Sequence, residues 1–471
     1  MVFTSSLFLF LFLPLFLAAY HLLPFRLRRY WLLAASWVFY GWWRLDFLLL
    51  LLAVSSAAWL LGRWIASSRQ KGAHARAFLA LGVTLFVGTL AYFKYVNFGI
   101  ESANVLLGGL GVRAIPLWDV LLPVGISFST FKAISYLVDL YRGSAAAGGW
   151  REVALYIAVF PQIISGPIDR YGDLMPQFQR DGRSLEDFGA GALRFMFGFC
   201  KKVLIADAVA PLANAVFALS RPSLADSWLG AGAYTMQLYF DFSGYTDMAV
   251  GLGPMMGLKF MENFRSPYLS ESITEFWRRW HISLSSWLRD YLYFPLGGSR
   301  RAKGRTLLNL LIVMVLGGLW HGAAVTFVLW GAWHGFLLVI ERLRRNTMPI
   351  RKVPRPFAVA FSMVLVMIGW VLFRAGNLGV AVRMYAGMIG LSGAGLSAEL
   401  RWQIDGMAVA AMVAACAGVY CWPLLARLLA GLPAQWRRAA EGLALAVVPF
   451  FLLGIVKIVA ASSPLFLYGK F

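Results

Sequence analysis

One stretch of this sequence, from Thr306 to Ile340, contains no Asp, Glu, Lys or Arg, and a histidine lies near its middle. An apolar run of this length is typical of helices that cross a lipid bilayer. An ionisable side chain is costly to bury there, so we expect it to face a bundle interior or a water-filled cavity. His321 is therefore the first candidate for a functional residue.

The rest of the chain has the same apolar character. Hydrophobic residues make up 60% of the 471 residues and charged residues 14%, whereas soluble domains contain about 25% charged residues. The 19 tryptophans suit a protein that anchors many helix ends at two membrane interfaces. Since a crossing takes about 20 residues, we predict an all-α, polytopic membrane bundle of roughly eleven to thirteen embedded helices.

The surplus of basic residues is explained by membrane topology. Lys and Arg outnumber Asp and Glu by 43 to 22, but they cluster between the apolar runs, as they do in cytoplasmic loops. We therefore predict contact with a lipid bilayer and none with nucleic acid. Arg26, Arg28 and Arg29 follow the first apolar run, which predicts an uncleaved first span with its N-terminus outside.

Neither a soluble domain nor a metal centre is expected. The three cysteines, Cys200, Cys416 and Cys421, form neither a CxxC nor a His-paired spacing, so we predict no disulfide framework and no metal site. The polar interruptions are loop-sized, so residues 1–471 are predicted to form a single membrane-embedded domain. Two short spans fit between Arg29 and Arg63, in a tight hairpin.

Residues 261–305 differ from the spans because Trp, Tyr and Arg are too dense for a lipid-crossing helix. Ser272, followed three residues later by Glu275, resembles a capping box that starts a helix. On that helix Trp277 and His281 would share a face. Apolar residues at three- and four-residue steps predict that the helix is amphipathic and lies at the interface: Ile273, Phe276, Trp277, Trp280 and Leu284.

Basic residues flank the charge-free stretch, Arg305 before it and Arg342 after it, so the chain is predicted to enter the membrane and return. Three glycines supply breaks near the turn: Gly317, Gly318 and Gly322. A continuous helix from Arg305 would carry His321 about 24 Å, to the bilayer midplane or beyond. His334 would lie about 20 Å further along a straight helix, so the two histidines serve one reacting atom only if the chain folds back. This spacing also disfavours a two-His metal site.

Several other polar residues receive structural assignments. Asp241, Tyr245 and Asp247 lie in an apolar run and need Lys or Arg partners from another helix, so we favour structural pairing for them. His334 is assigned to core packing. The remaining histidines, His21 and His74, lie beside basic loop clusters and are predicted to be solvated.

Four blocks of the sequence resemble the membrane-bound O-acyltransferase family, and within it the bacterial alginate O-acetylase branch. The phrase LLPVGISFSTFKAISYLVDLYRG also resembles that branch. The resemblance covers about residues 1–345, the family-like core, and leaves 346–471 as additional C-terminal transmembrane helices. The four blocks are FPQIISGPIDRY, QLYFDFSGYTDMAVGLG, SITEFWRRWHISLSSWLRDYLYFPLGG and GGLWHGAAVTFVLWGAWHG.

The resemblance implies acyl transfer across a bacterial inner membrane by a multi-pass protein. It implies that His321 is the catalytic residue and that His281 lies in the same reaction chamber. Imidazole titrates near neutral pH, so His321 can accept the proton of an attacking hydroxyl. The donor would be cytoplasmic acetyl-CoA, a substrate rather than a tightly bound cofactor, and Arg278 and Arg279 are candidates for attracting its phosphates. An extracytoplasmic acetyltransferase partner would finish the transfer onto an exopolysaccharide, alginate being the first choice.

Other functions stay open from the residues alone. Cellulose or another cell-surface polymer could replace alginate as the acceptor. A polysaccharide or small-molecule transporter would also need many helices and intramembrane acids, although the paired repeats with broken helices that many transporters show are not evident. A non-catalytic membrane scaffold is the third alternative.

Overall fold

The computed structural model describes residues 1–69, 72–300, 302–347, 353–402, 404–430, 442 and 444–460. Within these ranges the regular elements are helices and no strand occurs, which confirms the predicted all-α class. The chain forms two compact units, one of Met1–Ala192 with Ala249–Met261 and one of Leu193–Met248 with Glu262–Phe471. The division into a family-like core and additional C-terminal helices stays a prediction.

The first unit contains the N-terminal helices. Arg44 and Asp46 form two hydrogen bonds, of 2.9 and 2.7 Å, where two of these helices meet. This confirms the two elements predicted between Arg29 and Arg63. The helices of this unit are Phe8–Phe12, Leu13–Leu22, Phe25–Gly41, Leu45–Ser67, Gly72–Gly109, Ile126–Arg142, Trp150–Ala158, Phe160–Ile163, Tyr171–Leu174, Met175–Gln179, and the parts of Leu185–Cys200 and Leu224–Met255 that fall within its bounds.

The second unit contains three of the histidines, His281, His321 and His334. Its principal helices are the remainder of Leu185–Cys200, Lys201–Ala206, Asp207–Ala218, the remainder of Leu224–Met255, Pro267–Leu269, Ile273–Arg279, Ile282–Leu288, Arg289–Tyr293, Lys303–His321, Val325–Thr347, Arg355–Arg374, Leu378–Met388, Ala398–Arg401, Gly406–Tyr420, Trp422–Ala430, Ala444–Ala446 and Val447–Ala460.

Five helices among the described residues are long and apolar enough to cross a membrane. The chain is therefore a multi-pass membrane protein, as its composition predicts. The expected eleven to thirteen embedded helices and the outside position of the N-terminus stay predictions. The five helices are Leu45–Ser67, His74–Gly109, Lys303–His321, Arg355–Arg374 and Gly406–Leu425.

The charge-free stretch forms a helical hairpin, which consists of Lys303–His321, a turn at residues 322–324, and Val325–Thr347. Glycines allow the two helix backbones to touch. A Cβ added at Gly318 would lie 2.2 Å from the carbonyl oxygen of Phe327, and one at Gly331 would lie 2.3 Å from that of Met314. Small residues at such contacts let membrane helices pack closely. The predicted return of the chain is thus confirmed, and the break lies at Gly322. The breaks predicted at Gly317 and Gly318 are wrong, because both glycines lie inside the first helix.

The prediction of a single amphipathic helix after Ser272 is wrong, because the structure has two short helices there. The Ser272 hydroxyl does cap the helix by accepting from the Glu275 amide at 3.1 Å, although the Glu275 carboxylate accepts from the Glu271 amide rather than from that of Ser272. The helix ends at Arg279, and a second helix begins at Ile282. Between them His281 has a left-handed backbone with φ 42°, so Trp277 and His281 do not share a helix face.

The break at His281 is held by a distant segment of chain. Asn263 accepts two hydrogen bonds from the start of the second short helix, one from the Ile282 amide to its carbonyl oxygen at 3.0 Å and one from the Ser283 amide to its side chain at 3.1 Å. The Arg265 amide donates to the Arg279 carbonyl at 3.0 Å. Helical periodicity could not reveal these contacts, because they join residues 14 to 20 positions apart.

We predict that Gly318→Ala destabilises the protein, because its methyl group would overlap the Phe327 carbonyl. Overpacking of this kind costs about 1–3 kcal/mol. The control is Gly304→Ala on the same helix, where a Cβ meets nothing within 4 Å and Ala is a better helix former than Gly. Thermal unfolding of both proteins in detergent should show a lower Tm for Gly318→Ala alone; equal Tm values would contradict the close approach.

Candidate active site

Three buried histidines of the second unit lie in one aromatic cluster. His281 and His334 are fully buried, and His321 is 3% exposed. The side chains that surround them are aromatic, so the imidazoles are the groups of this cluster that can exchange protons near neutral pH. The rings of this aromatic cluster belong to Phe242, Phe276, Trp277, Trp280, Trp320, Trp330, Trp370 and Phe373.

His321 is the last residue of the first hairpin helix. Its ring centroid lies 4.8 Å from that of Trp320, 5.1 Å from that of Trp330 and 5.0 Å from that of Phe373, all at steep angles. Trp330 belongs to the second hairpin helix, and Phe373 belongs to helix Arg355–Arg374. Three helices therefore enclose the residue that the sequence singles out first.

His281 reaches the same aromatic cluster because the chain breaks at that residue. Its ring meets the Phe242 ring edge-on, with centroids 4.7 Å apart and an interplanar angle of 88°. The Trp320 ring lies 6.1 Å from that of His281 and 4.8 Å from that of His321. One indole thus contacts both of the histidines predicted to share a chamber.

His334 also joins the cluster because the hairpin folds back. Its ring lies 5.1 Å from that of Trp330 and 5.3 Å from that of Trp277. Trp330 thereby contacts both His334 and His321, so the separation expected along a straight helix does not apply. The His334 side chain is fully buried, which is the location predicted for it, and its assignment to core packing stays a prediction.

The arginines before His281 have different surroundings. Arg279 forms an ion pair with Glu275 at 2.5 Å, whereas the Arg278 side chain is exposed. Both belong to helix Ile273–Arg279, which leads directly to His281. Arg278 is thus the more available of the two predicted phosphate-attracting residues.

The acidic residues in the apolar run have the basic partners that the sequence predicts. Asp241 pairs with Lys202 at 3.1 Å, and Asp247 pairs with Lys201 at 2.6 Å and with Arg194 at 2.9 Å. Each basic residue comes from another helix, which confirms structural pairing for both acids. Lys202 also forms an ion pair with Asp207. The Tyr245 side chain, which lies between the two acids in the sequence, is buried.

The two remaining histidines differ from each other. His74 is exposed, as predicted. His21 is not simply solvated, because its ring nitrogens lie 3.0 Å from the Met255 carbonyl and 3.0 Å from Arg183. The prediction that His21 is solvated is therefore wrong. The local sequence could not show these partners, because both are distant from His21 along the chain.

Comparisons with known proteins agree with this architecture. Residues 149–375 match the membrane-bound O-acyltransferase (MBOAT) family. The chain is 50% identical to the probable alginate O-acetylase AlgI of Azotobacter vinelandii, over 88% of this chain and 83% of that protein. It is 51% identical to the probable alginate O-acetylase AlgI of Pseudomonas aeruginosa, over 88% and 80%. A peptidoglycan O-acetyltransferase of Helicobacter pylori is 34% identical, over 84% and 81%.

The chain belongs to the membrane-bound O-acyltransferase family. It is an O-acyltransferase, so the transporter and scaffold alternatives give way to an enzyme. Its similarity to the alginate O-acetylases confirms the branch that the four sequence blocks resemble. The matched region spans the short helices around His281 and the whole hairpin that carries His321 and His334.

We predict that Lys202→Met destabilises the protein far more than Lys201→Met. Loss of Lys202 leaves Asp207 and Asp241 buried without that cation, and breaking a buried pair costs about 3–5 kcal/mol. Loss of Lys201 leaves Asp247 paired with Arg194. Protein yield in membranes and Tm in detergent should fall mainly for Lys202→Met; the reverse order would show that this network does not support the fold.

Proposed function

We propose that this protein takes acetyl groups from cytoplasmic acetyl-CoA and passes them across a bacterial inner membrane for O-acetylation of an exopolysaccharide, alginate. Two findings support the proposal. Relatives described as probable alginate O-acetylases share about half of the residues over 88% of the chain. The relative described as acting on peptidoglycan is less similar, at 34%, so alginate is favoured over that polymer, over cellulose and over other cell-surface polymers.

The enclosure of His321 is the observation that carries the catalytic assignment. Aromatic rings at 4.8–5.1 Å surround an imidazole at the end of a membrane helix. His321 acts as the general base and accepts the proton of the attacking hydroxyl. The hydroxyl oxygen forms a bond to the thioester carbonyl carbon, the bond from that carbon to sulfur breaks, and the proton passes from His321 to the departing CoA thiolate.

His281 is assigned to the same reaction chamber. The Trp320 ring lies 6.1 Å from the His281 ring and 4.8 Å from the His321 ring. A second imidazole at this place can orient a reacting group or relay a proton. Bulky rings around both histidines also favour a short acyl group such as acetyl.

The remaining partners follow from the direction of transfer. CoA is made in the cytoplasm, and the exposed Arg278 would attract its phosphates by charge. The polymer lies outside the membrane, so an extracytoplasmic acetyltransferase partner would complete transfer to the sugar hydroxyls. Acetyl-CoA is consumed as a substrate, and the proposed reaction uses no metal.

We predict that His321→Ala abolishes polymer acetylation, because the general base is lost and a base typically contributes about 10²–10⁴ to a rate. The matched control is His74→Ala, which removes an exposed histidine. Polymer-bound acetyl is measured in producing cells, with membrane levels of each protein determined by blotting. Normal acetylation by His321→Ala at a normal protein level would rule out this catalytic role.

We predict that His281→Asn also reduces acetylation while keeping the fold. Asn tolerates the left-handed backbone found at this position better than most residues do, so the variant removes the imidazole without straining the break. Tm in detergent should stay near the wild-type value as transfer falls. If Tm and transfer fall together, His281 has only a structural role; if neither changes, acetyl transfer does not need its imidazole.

A further inference from the structure

The polar atoms around His334 are left without hydrogen bonds by the described part of the chain. Neither of its two buried ring nitrogens has a partner there. The same holds for the indole N–H groups of Trp277, Trp330 and Trp370, whose rings lie 5.3, 5.1 and 6.2 Å from the His334 ring. Four side chains with unused hydrogen-bonding atoms thus meet at one place.

Elsewhere in this unit similar groups find backbone partners. The indole of Trp333, one residue before His334, donates to the Leu365 carbonyl at 3.0 Å. The indole of Trp228 donates to the Met388 carbonyl at 3.1 Å, and the Tyr385 hydroxyl donates to the Ile368 carbonyl at 2.8 Å. Buried polar groups are normally bonded because desolvating them without a partner is unfavourable. Among the described residues of this unit, single atoms without a hydrogen bond also occur, such as the Ser243 hydroxyl and the Gln237 side-chain oxygen, but around His334 five such atoms of four side chains lie together.

Packing does not require a histidine at this position. The ring stacks on Phe276 at an interplanar angle of 13° and meets Trp277 edge-on at 85°. A phenyl ring can adopt both arrangements, and it carries no polar atoms to desolvate. A Cβ on Gly369 would lie 2.8 Å from the His334 Nε2 atom, so the glycine lets the neighbouring helix approach the imidazole closely. Substrate recognition accounts for the two nitrogens, whereas packing does not.

The position of His334 connects it to the proposed reaction. The Trp330 ring lies 5.1 Å from His334 and 5.1 Å from His321. The Trp330 indole, whose N–H is unused, therefore contacts both His334 and the proposed general base. In an enclosed apolar site, such donors bind strongly to an oxygen atom that gains negative charge.

We propose that His334 is a further catalytic residue, which with the indole N–H of Trp330 binds the carbonyl oxygen of the acyl group. The inference rests on the proposed function. As the acceptor hydroxyl adds to the carbonyl carbon, the carbonyl π electrons move to oxygen, and His334 and Trp330 donate hydrogen bonds to that oxyanion. The C=O bond then re-forms, the bond to sulfur breaks, and the thiolate takes the proton held by His321.

The test is the initial rate at which labelled acetyl passes from acetyl-CoA into polymer in membranes of producing cells. His334→Phe keeps an aromatic ring and removes both nitrogens. We expect its rate to fall about 100-fold, as is typical when an oxyanion donor is lost. Its Tm in detergent should be unchanged or higher, and acetyl-CoA should still raise that Tm. His334→Gln restores an N–H donor and should be faster than His334→Phe.

A second pair of variants covers the case in which His334→Phe does not fold. Trp330→Phe removes an unused N–H, and Trp333→Phe removes one that is bonded to Leu365. We expect Trp330→Phe to be slow at a near-normal Tm. Trp333→Phe should have a lower Tm and a nearly normal rate per folded molecule.

The outcomes separate this inference from the proposed function. If His321→Ala is inactive while His334→Phe and Trp330→Phe transfer acetyl at rates within twofold of wild type, the oxyanion assignment is wrong and the general base stands. If His334→Gln is no faster than His334→Phe, hydrogen bonding by residue 334 is not the cause of the loss, and the assignment is again wrong. If His321→Ala is itself fully active, the proposed function fails first.

Discussion

The contact between Gly318 and Gly331 across the helical hairpin determines which residues of the proposed catalytic site lie together. Each glycine leaves space for a backbone carbonyl of the opposite helix, at distances that a Cβ would not permit. Close packing of the two helices sets Trp330 beside His321, and Trp330 in turn contacts His334. The site is thus built on rigid helices rather than on a loop, which suits a reaction that depends on the alignment of three reacting groups.

The aromatic cluster provides the second feature of the proposed site, an apolar lining. Its rings surround three imidazoles and pack against one another, with Trp330 stacked on Trp370 at 5.8 Å. Charged side chains of the second unit are paired elsewhere, as with Lys202 and Asp241. In the proposed reaction water would compete with the acceptor hydroxyl for the thioester, so an apolar lining would protect the acetyl group during transfer. The same enclosure strengthens each hydrogen bond made to a developing charge.

Much of this arrangement can be predicted from the sequence, for physical reasons that differ between residues. His321 is evident because an ionisable group in an apolar span has a high cost of burial. The return of the chain follows from basic residues at both ends of the stretch, and the partners of Asp241 and Asp247 follow from charge. These arguments use only composition and position along the chain.

Other features depend on contacts that no local pattern contains. The break at His281 exists because Asn263 accepts hydrogen bonds from Ile282 and Ser283, whereas the local periodicity indicates a continuous helix. On a straight helix His334 would be too far from His321 to contact the same side chain. The two hairpin helices pack closely at their glycines, and one indole, that of Trp330, therefore contacts both histidines. Trp330 and Phe373 were not singled out by the sequence, since isolated aromatic residues in a tryptophan-rich chain carry no distinguishing signal.

The most direct test of the account is a structure of the protein bound to an acetyl-CoA analogue in which a methylene group replaces the thioester sulfur. The account predicts that the acetyl carbonyl lies beside His321, enclosed by Trp330 and Phe373. An analogue whose acetyl group binds away from the His321 ring would contradict the assignment of this aromatic cluster as the site of acyl transfer.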